Sequence, residues 1–271
     1  MKSRLARLLS VPFLLLAAPP ALAGQSPWQD FEGARLRLVT EDMRRADGRL
    51  RGALQIDLKP GWKTYWREPG SAGIPPQIGV SGGFASSVDI HYPVPEWVTD
   101  DYGSWAGYKQ PVSLPLTFSV AGDGSASAID TDVFLGICKN VCVPVSASLT
   151  ISLASASGGS LQTIQVDAAF AGLPGGNTET LTIGEPSWTS DGMLEVRLSH
   201  QGDSGDETEL FVAAGTAHAF RKPVPVSSDA GSTVFHVQPV FDPAESGSVE
   251  LILTARHGID TAEVQVKINA P

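Results

Sequence analysis

Apolar residues recur at every second position through most of the chain. Leu50, Gly52, Leu54, Ile56 and Leu58 fall on one face of an extended segment. So do Leu114, Leu116, Phe118 and Val120, and likewise Val145, Ala147, Leu149, Ile151 and Leu153. The C-terminal half repeats the habit with Leu194, Val196 and Leu198, then Val249, Leu251 and Leu253, then Val264, Val266 and Ile268. A period of two turns one face to a core and the other to water, as half-buried strands require. Gly, Pro, Ser and Asp crowd the segments between, as turns should. No helical periodicity runs beyond about ten residues, and one or two helical turns are expected over residues 165–171. Many short strands without βαβ alternation predict an all-β protein made of two antiparallel β-sandwich domains.

The small, polar, Gly-rich segment at residues 154–160 reads as a linker. It divides the chain into a first domain at 24–157 and a second at 158–271. A second polar patch, residues 202–209, reads as a solvated hairpin loop. The first 23 residues read as a signal peptide. Lys2, Arg4 and Arg7 form a basic start, Leu8 to Ala18 an apolar stretch, and Ala21-Leu-Ala23 a small-x-small cleavage site. That stretch is too short to span a bilayer, and no later segment approaches the ~18 apolar residues a span needs. The reading is a periplasmic protein without stable membrane insertion of its own. Cleavage removes three of the 19 basic residues and no acidic one. The remaining 16 against 29 acidic residues give a net charge of about −13, which argues against nucleic acid as a partner.

The only two cysteines lie four positions apart, in Phe134-Leu-Gly-Ile-Cys-Lys-Asn-Val-Cys-Val-Pro-Val145. On one extended strand their Cα atoms would be roughly 13 Å apart, too far for a disulfide. Val141, Val143, Pro144 and Val145 oppose a helix. A hairpin with Lys139-Asn-Val141 as its loop brings the two together across its neck. A bridge closing so small a loop contributes only about 2 kcal/mol in the chain-entropy account, against nearly 5 for a long loop. Exchange chemistry is therefore the leading reading of the pair, and a structural staple in a binding or scaffold module the alternative. A copper site is a third reading, with His91 as a further ligand. No CxxC…CxxC or HxxxH pattern accompanies the pair, however, and the histidines at 91, 200, 218, 236 and 257 are scattered. No metal ligand set and no cofactor follow from the sequence. Neither a GxSxG elbow nor a phosphate-binding glycine loop is present.

Three blocks resemble the N-terminal periplasmic domain of the thiol:disulfide interchange protein DsbD, and more closely its ScsB-like relatives. The first is Pro60-Gly-Trp-Lys-Thr-Tyr-Trp-Arg-Glu-Pro-Gly70. The second comprises His91-Tyr-Pro93, Trp97, Asp100-Asp-Tyr-Gly103, Gly107-Tyr-Lys109 and Leu114-Pro-Leu116. The third is the cysteine hairpin with Val143-Pro144. Together they cover about residues 35–153, and the C-terminal half is similar to the second β domain of ScsB-like proteins only in general character. The resemblance implies an immunoglobulin-like domain whose cysteine pair takes electrons from an integral-membrane thiol reductase. It passes them to periplasmic thioredoxin-like proteins or other oxidised clients. By position, Cys142 corresponds to the cysteine that forms mixed disulfides and Cys138 to its resolving partner. Tyr65 corresponds to an aromatic beside the site, and Asp100, Asp101, Tyr102 and Gly103 to a cap loop. Two departures stand out. The CxxxC spacing is narrower than that of DsbD itself, and Asp101 occupies the position of the cap phenylalanine, leaving Trp105 or Tyr102 to cover the site. The transmembrane and thioredoxin domains of DsbD are not in this sequence, so electron supply from a separate membrane chain is expected. Lys139 is the one cation near the pair in sequence, and no helix N-terminus adjoins it. A slow, partner-dependent shuttle is expected.

Overall fold

The computed structural model describes residues 24–42, 44–70, 73–83, 85–100, 103–120, 128–152, 161–201, 206–215 and 218–271, with Asp100 described by its backbone only. The expected signal peptide and linker lie outside these residues. All strand pairings within the sheets are antiparallel.

Two sheets form the N-terminal sandwich. One carries Gln29–Phe31, Ala34–Thr40, Arg49–Leu58, Val112–Val120 and Ala85–Ile90 in that spatial order. The other runs Cys142–Ser152, Ala128–Cys138, Lys63–Tyr65, Gly103–Tyr108, Glu96–Asp100, and Gln77–Gly83 pairs with the early part of Ala128–Cys138. The period-two residues close the core between them. Leu50, Leu54, Ile56, Leu114, Leu116 and Phe118 face Ile129, Val133, Leu135, Ile137, Val145, Leu149 and Ile151, all buried. Each such side chain stabilises the fold by roughly 1.5–3 kcal/mol relative to exposure.

A second core lies between Leu181–Ile183, Leu194–His200, Ser232–Val237 and Val224–Asp229 on one side and Thr208–Ala213, Ser248–His257 and Asp260–Asn269 on the other. Of the hairpin loop expected at 202–209, residues 202–205 lie outside the described residues, and Thr208 and Glu209 already belong to the strand Thr208–Ala213. The flanking strands Leu194–His200 and Thr208–Ala213 lie in different sheets, which polar composition between them does not indicate.

The helix Leu161–Ala171 begins four residues before the expected 165–171. Its first turn, with Leu161 and Ile164 exposed, lacks the apolar periodicity that would announce it. Docking holds it: Val166 and Ala169 pack on Val39 and Ala53, the outer face of the first sheet. Arg51 lies 4.9 Å from the Phe170 ring and pairs with both Glu41 and Asp167.

Candidate redox site

The strand Ala128–Cys138 points its odd-numbered residues into the first core, which sends Cys138 to the opposite, outer face of the sheet. At the end of the hairpin Cys138 pairs directly with Cys142 across the three-residue loop, and the two form a disulfide with Cα atoms 4.1 Å apart. The expected neck geometry is thus the observed one.

Three neighbouring strands supply the walls. Lys63 lies opposite Cys138 and Thr64 opposite Ile137, so Tyr65 shares the outer face with the disulfide. On the other side Thr64 pairs with Tyr108 and Tyr65 with Gly107. Trp105, two residues before Gly107, faces the same way, opposite Val98 of the next strand. Tyr65, Trp105 and Cys138 form a small buried cluster, with Val98 and Cys142 packed against it. Tyr65 and Trp105 meet edge to face with ring centroids 5.8 Å apart, and the Lys63 ammonium sits 4.1 Å from the centre of the Trp105 ring. Glycines give the Tyr65 ring its room: a Cβ on Gly136 would lie 3.2 Å from two of its carbons and 2.9 Å from Ile74 Cβ.

The two sulfurs differ. Cys138 is 1 % exposed, whereas Cys142 is half-buried, and Val141 beside it is 75 % exposed at the hairpin tip. The Tyr65 hydroxyl lies 3.0 Å from Cys142 Sγ. A sulfur in a disulfide has no proton, so the phenol donates. The arrangement offers one sulfur to an incoming thiol, holds the other under aromatic cover, and places a hydrogen-bond donor on the accessible one.

Among the expected site residues, Cys138, Cys142 and Tyr65 come together. Asp100 pairs with Gly103 at the end of the covering hairpin, next to a bond between Thr99 and Ser104 hydroxyls at 2.9 Å. Asp101 and Tyr102 lie outside the described residues. Trp105, on the strand Gly103–Tyr108, packs against Tyr65 and Cys138. Sequence reasoning did not find Lys63 or Val98, because strand register alone brings them to the cysteines. Tyr108 and Lys109 serve the hairpin's base: the Tyr108 hydroxyl donates to the Pro93 carbonyl at 2.8 Å, and Lys109 pairs with Glu96 at 3.0 Å. Burial raises the Tyr108 phenol well above its usual range. His91 is remote from the pair, bonded to the Thr117 hydroxyl at 2.9 Å with its ring against Phe170. Trp62 stacks over Gly33 on the first core. Among the described residues no three His, Cys, Asp or Glu side chains are gathered as metal ligands.

With this geometry in view, comparison with known proteins gives a definite relation. Residues 37–154 match the family profile described as Thiol:disulfide interchange protein DsbD, N-terminal. The matched segment, less than half of the chain, is similar to the DsbD N-terminal domain. The DsbD-type domain is an immunoglobulin-like β-sandwich, and the matched residues include the cysteine hairpin, Tyr65 and the covering strands. The fold also matches the crystal structure of the N-terminal periplasmic domain of ScsB from Proteus mirabilis, with a TM-score of 0.74 and 20 % identity. The match covers 92 % of this chain and 100 % of that one, so the likeness extends past the DsbD-type domain into the second sandwich. No curated protein sequence matches the chain. Among the described residues no helix is long and apolar enough to cross a membrane.

Proposed function

We propose that this protein is a periplasmic thiol:disulfide interchange component that carries electrons from an integral-membrane thiol reductase to oxidised clients through Cys138 and Cys142. Thioredoxin-like proteins are the leading client class. The observation that carries the reading is the inequality of the two sulfurs, one covered and one accessible with the Tyr65 hydroxyl upon it. In the reduced protein the Cys142 thiolate attacks a client disulfide. A mixed disulfide forms, and the client's other sulfur leaves as a thiolate. Cys138, giving up its proton, then attacks Cys142 Sγ and releases the second client thiolate. Two electrons pass to the client, and the Cys138–Cys142 bond re-forms. The membrane partner reverses these steps to reload the pair. Residues 24–157 and 158–271 form two domains in this proposal, with the helix Leu161–Ala171 belonging by chain to the second and by packing to the first. Residues 1–23 act as the export signal.

Equilibration of the mature protein in redox buffers, with trapping of free thiols, tests the reading. Structural disulfides lie below about −300 mV and exchange-competent ones above. The expected outcome is a potential above that boundary, with Cys138→Ser accumulating a mixed disulfide with client and Cys142→Ser accumulating none. A potential far below it, with neither variant trapping a client, would mean an inert staple.

A further inference from the structure

The strands that wall the disulfide are one backbone thick, and their reverse face is not turned to water. Successive strand residues point to opposite faces. Tyr65, Val98 and Trp105 stand on the disulfide side; Trp66, Trp97 and Ala106 stand on the core side. There they meet Phe211, a fully buried residue of strand Thr208–Ala213 in the second sandwich. Trp97 stacks on Phe211 with centroids 5.4 Å apart and planes 6° apart, and Trp66 meets the same ring edge-on at 5.9 Å. Trp97 Nε1 also donates to the Leu210 carbonyl at 2.9 Å, and Lys222 Nζ lies 5.6 Å from the Trp97 ring centre. One residue beyond Trp66, Arg67 pairs with Glu263 at 3.1 Å, and Glu263 accepts from Thr254 Oγ1 at 2.7 Å.

We infer that the second sandwich is a positioning domain for the redox site. Phe211 holds Trp66 and Trp97 from behind and thereby fixes Tyr65, Val98 and Trp105 around the disulfide. Its functional meaning rests on the exchange reading above; the shielding itself is measurable without that reading. Lys63–Tyr65 has three residues and Glu96–Asp100 five, spans too short to be rigid unsupported. One ring touches the reverse side of both strands. Fluctuation of either strand away from its neighbours is then opposed by contacts that belong to the other sandwich.

The test is the rate at which dithiothreitol reduces the disulfide in the full mature chain, together with the rate at which iodoacetamide alkylates Cys138 once reduced. Phe211→Ala should raise both by about tenfold, the scale set by the loss of aromatic pair contacts. Because that truncation also lowers stability, Leu198→Ala serves as the matched control. Leu198 is buried in the second core and lies outside the Trp66–Trp97–Phe211 group. It should reduce thermal stability comparably and leave both rates within about twofold of the parent. Trp97→Phe, which keeps a ring on Phe211 and loses the bond to Leu210, should fall between. Equal acceleration by Leu198→Ala and Phe211→Ala, or acceleration by neither, overturns the positioning role. A parent potential in the range of structural disulfides, with Phe211→Ala still accelerating, overturns the exchange reading and leaves the positioning role intact.

Discussion

Because a disulfide sulfur carries no proton, the contact between Tyr65 and Cys142 has one direction in the oxidised protein. On reduction the same hydroxyl can donate to a thiolate, and hydrogen bonds to charged groups contribute about 1.5–3 kcal/mol. Tyr65→Phe removes that donor while keeping the ring among Trp105, Cys138 and Gly136. The expected outcome is slower alkylation of reduced Cys142 at neutral pH by about tenfold, a factor equal to ~1.4 kcal/mol. The oxidised form should lose no more than about 1 kcal/mol of stability. Stopped-flow alkylation across a pH series checks this, and an unchanged rate would leave Tyr65 as packing alone. At this scale the sequence was partly legible. Two cysteines at a hairpin spacing announce themselves, and Tyr65 was found by family likeness. Lys63 and Val98 were not, because nothing local in a strand tells which residue of a distant strand will lie across from it.

At the scale of elements, the site depends on how closely Lys63–Tyr65 lies between its two neighbours. It pairs with the cysteine strand on one side and with Gly103–Tyr108 on the other. Gly107 makes the second pairing possible, since a Cβ there would fall 2.3 Å from the Thr64 carbonyl oxygen and 3.0 Å from Tyr65 Cα. Both obstructing atoms are backbone and cannot turn aside. Gly107→Ala should therefore cost about 1–3 kcal/mol through overpacking and lower Tm by several degrees. It should also speed reduction of the disulfide as the covering strand shifts; calorimetry and reduction kinetics on the same sample read both. The alternation that predicted strands was a strong signal here, and Val145, Ala147, Leu149 and Ile151 are each buried as their spacing requires. A glycine within a strand signals close approach of another backbone but does not name it. The helix Leu161–Ala171 was read short for the complementary reason. Its first turn draws no support from propensity or pattern, and its place is fixed by the sheet beneath it.

Across the whole molecule, residues scattered along the chain converge in ways that composition does not reveal. His200 and His257 stack with ring centroids 4.0 Å apart, both buried, at the end of the second core. Each bonds a threonine hydroxyl: His200 Nε2 to Thr233 at 3.1 Å and His257 Nδ1 to Thr208 at 2.9 Å. Asp206 lies 4.0 Å from His257 Nε2. Burial pushes His200 below the ordinary histidine value of 6.5, and the adjacent His257 pushes the same way, against a smaller opposing pull from Asp229. His91 is lowered as well, by burial first, with Arg67 and Arg49 adding to it and Asp89 and Glu263 opposing. A histidine held below its unfolded value is neutral in the fold, whereas the unfolded chain takes up a proton near the ordinary value. Stability from these two groups is therefore complete above about pH 6.5 and is lost as pH falls below it, since the unfolded state then binds more protons. Tm should drop as pH falls from about 6.5 to 5, and the double variant His91→Gln, His200→Gln should flatten that part of the curve. Scanning calorimetry over the pH series would detect the difference. A curve of the same slope in the double variant would assign the acid sensitivity to carboxylates instead, and the stacked pair would then be a feature of packing alone.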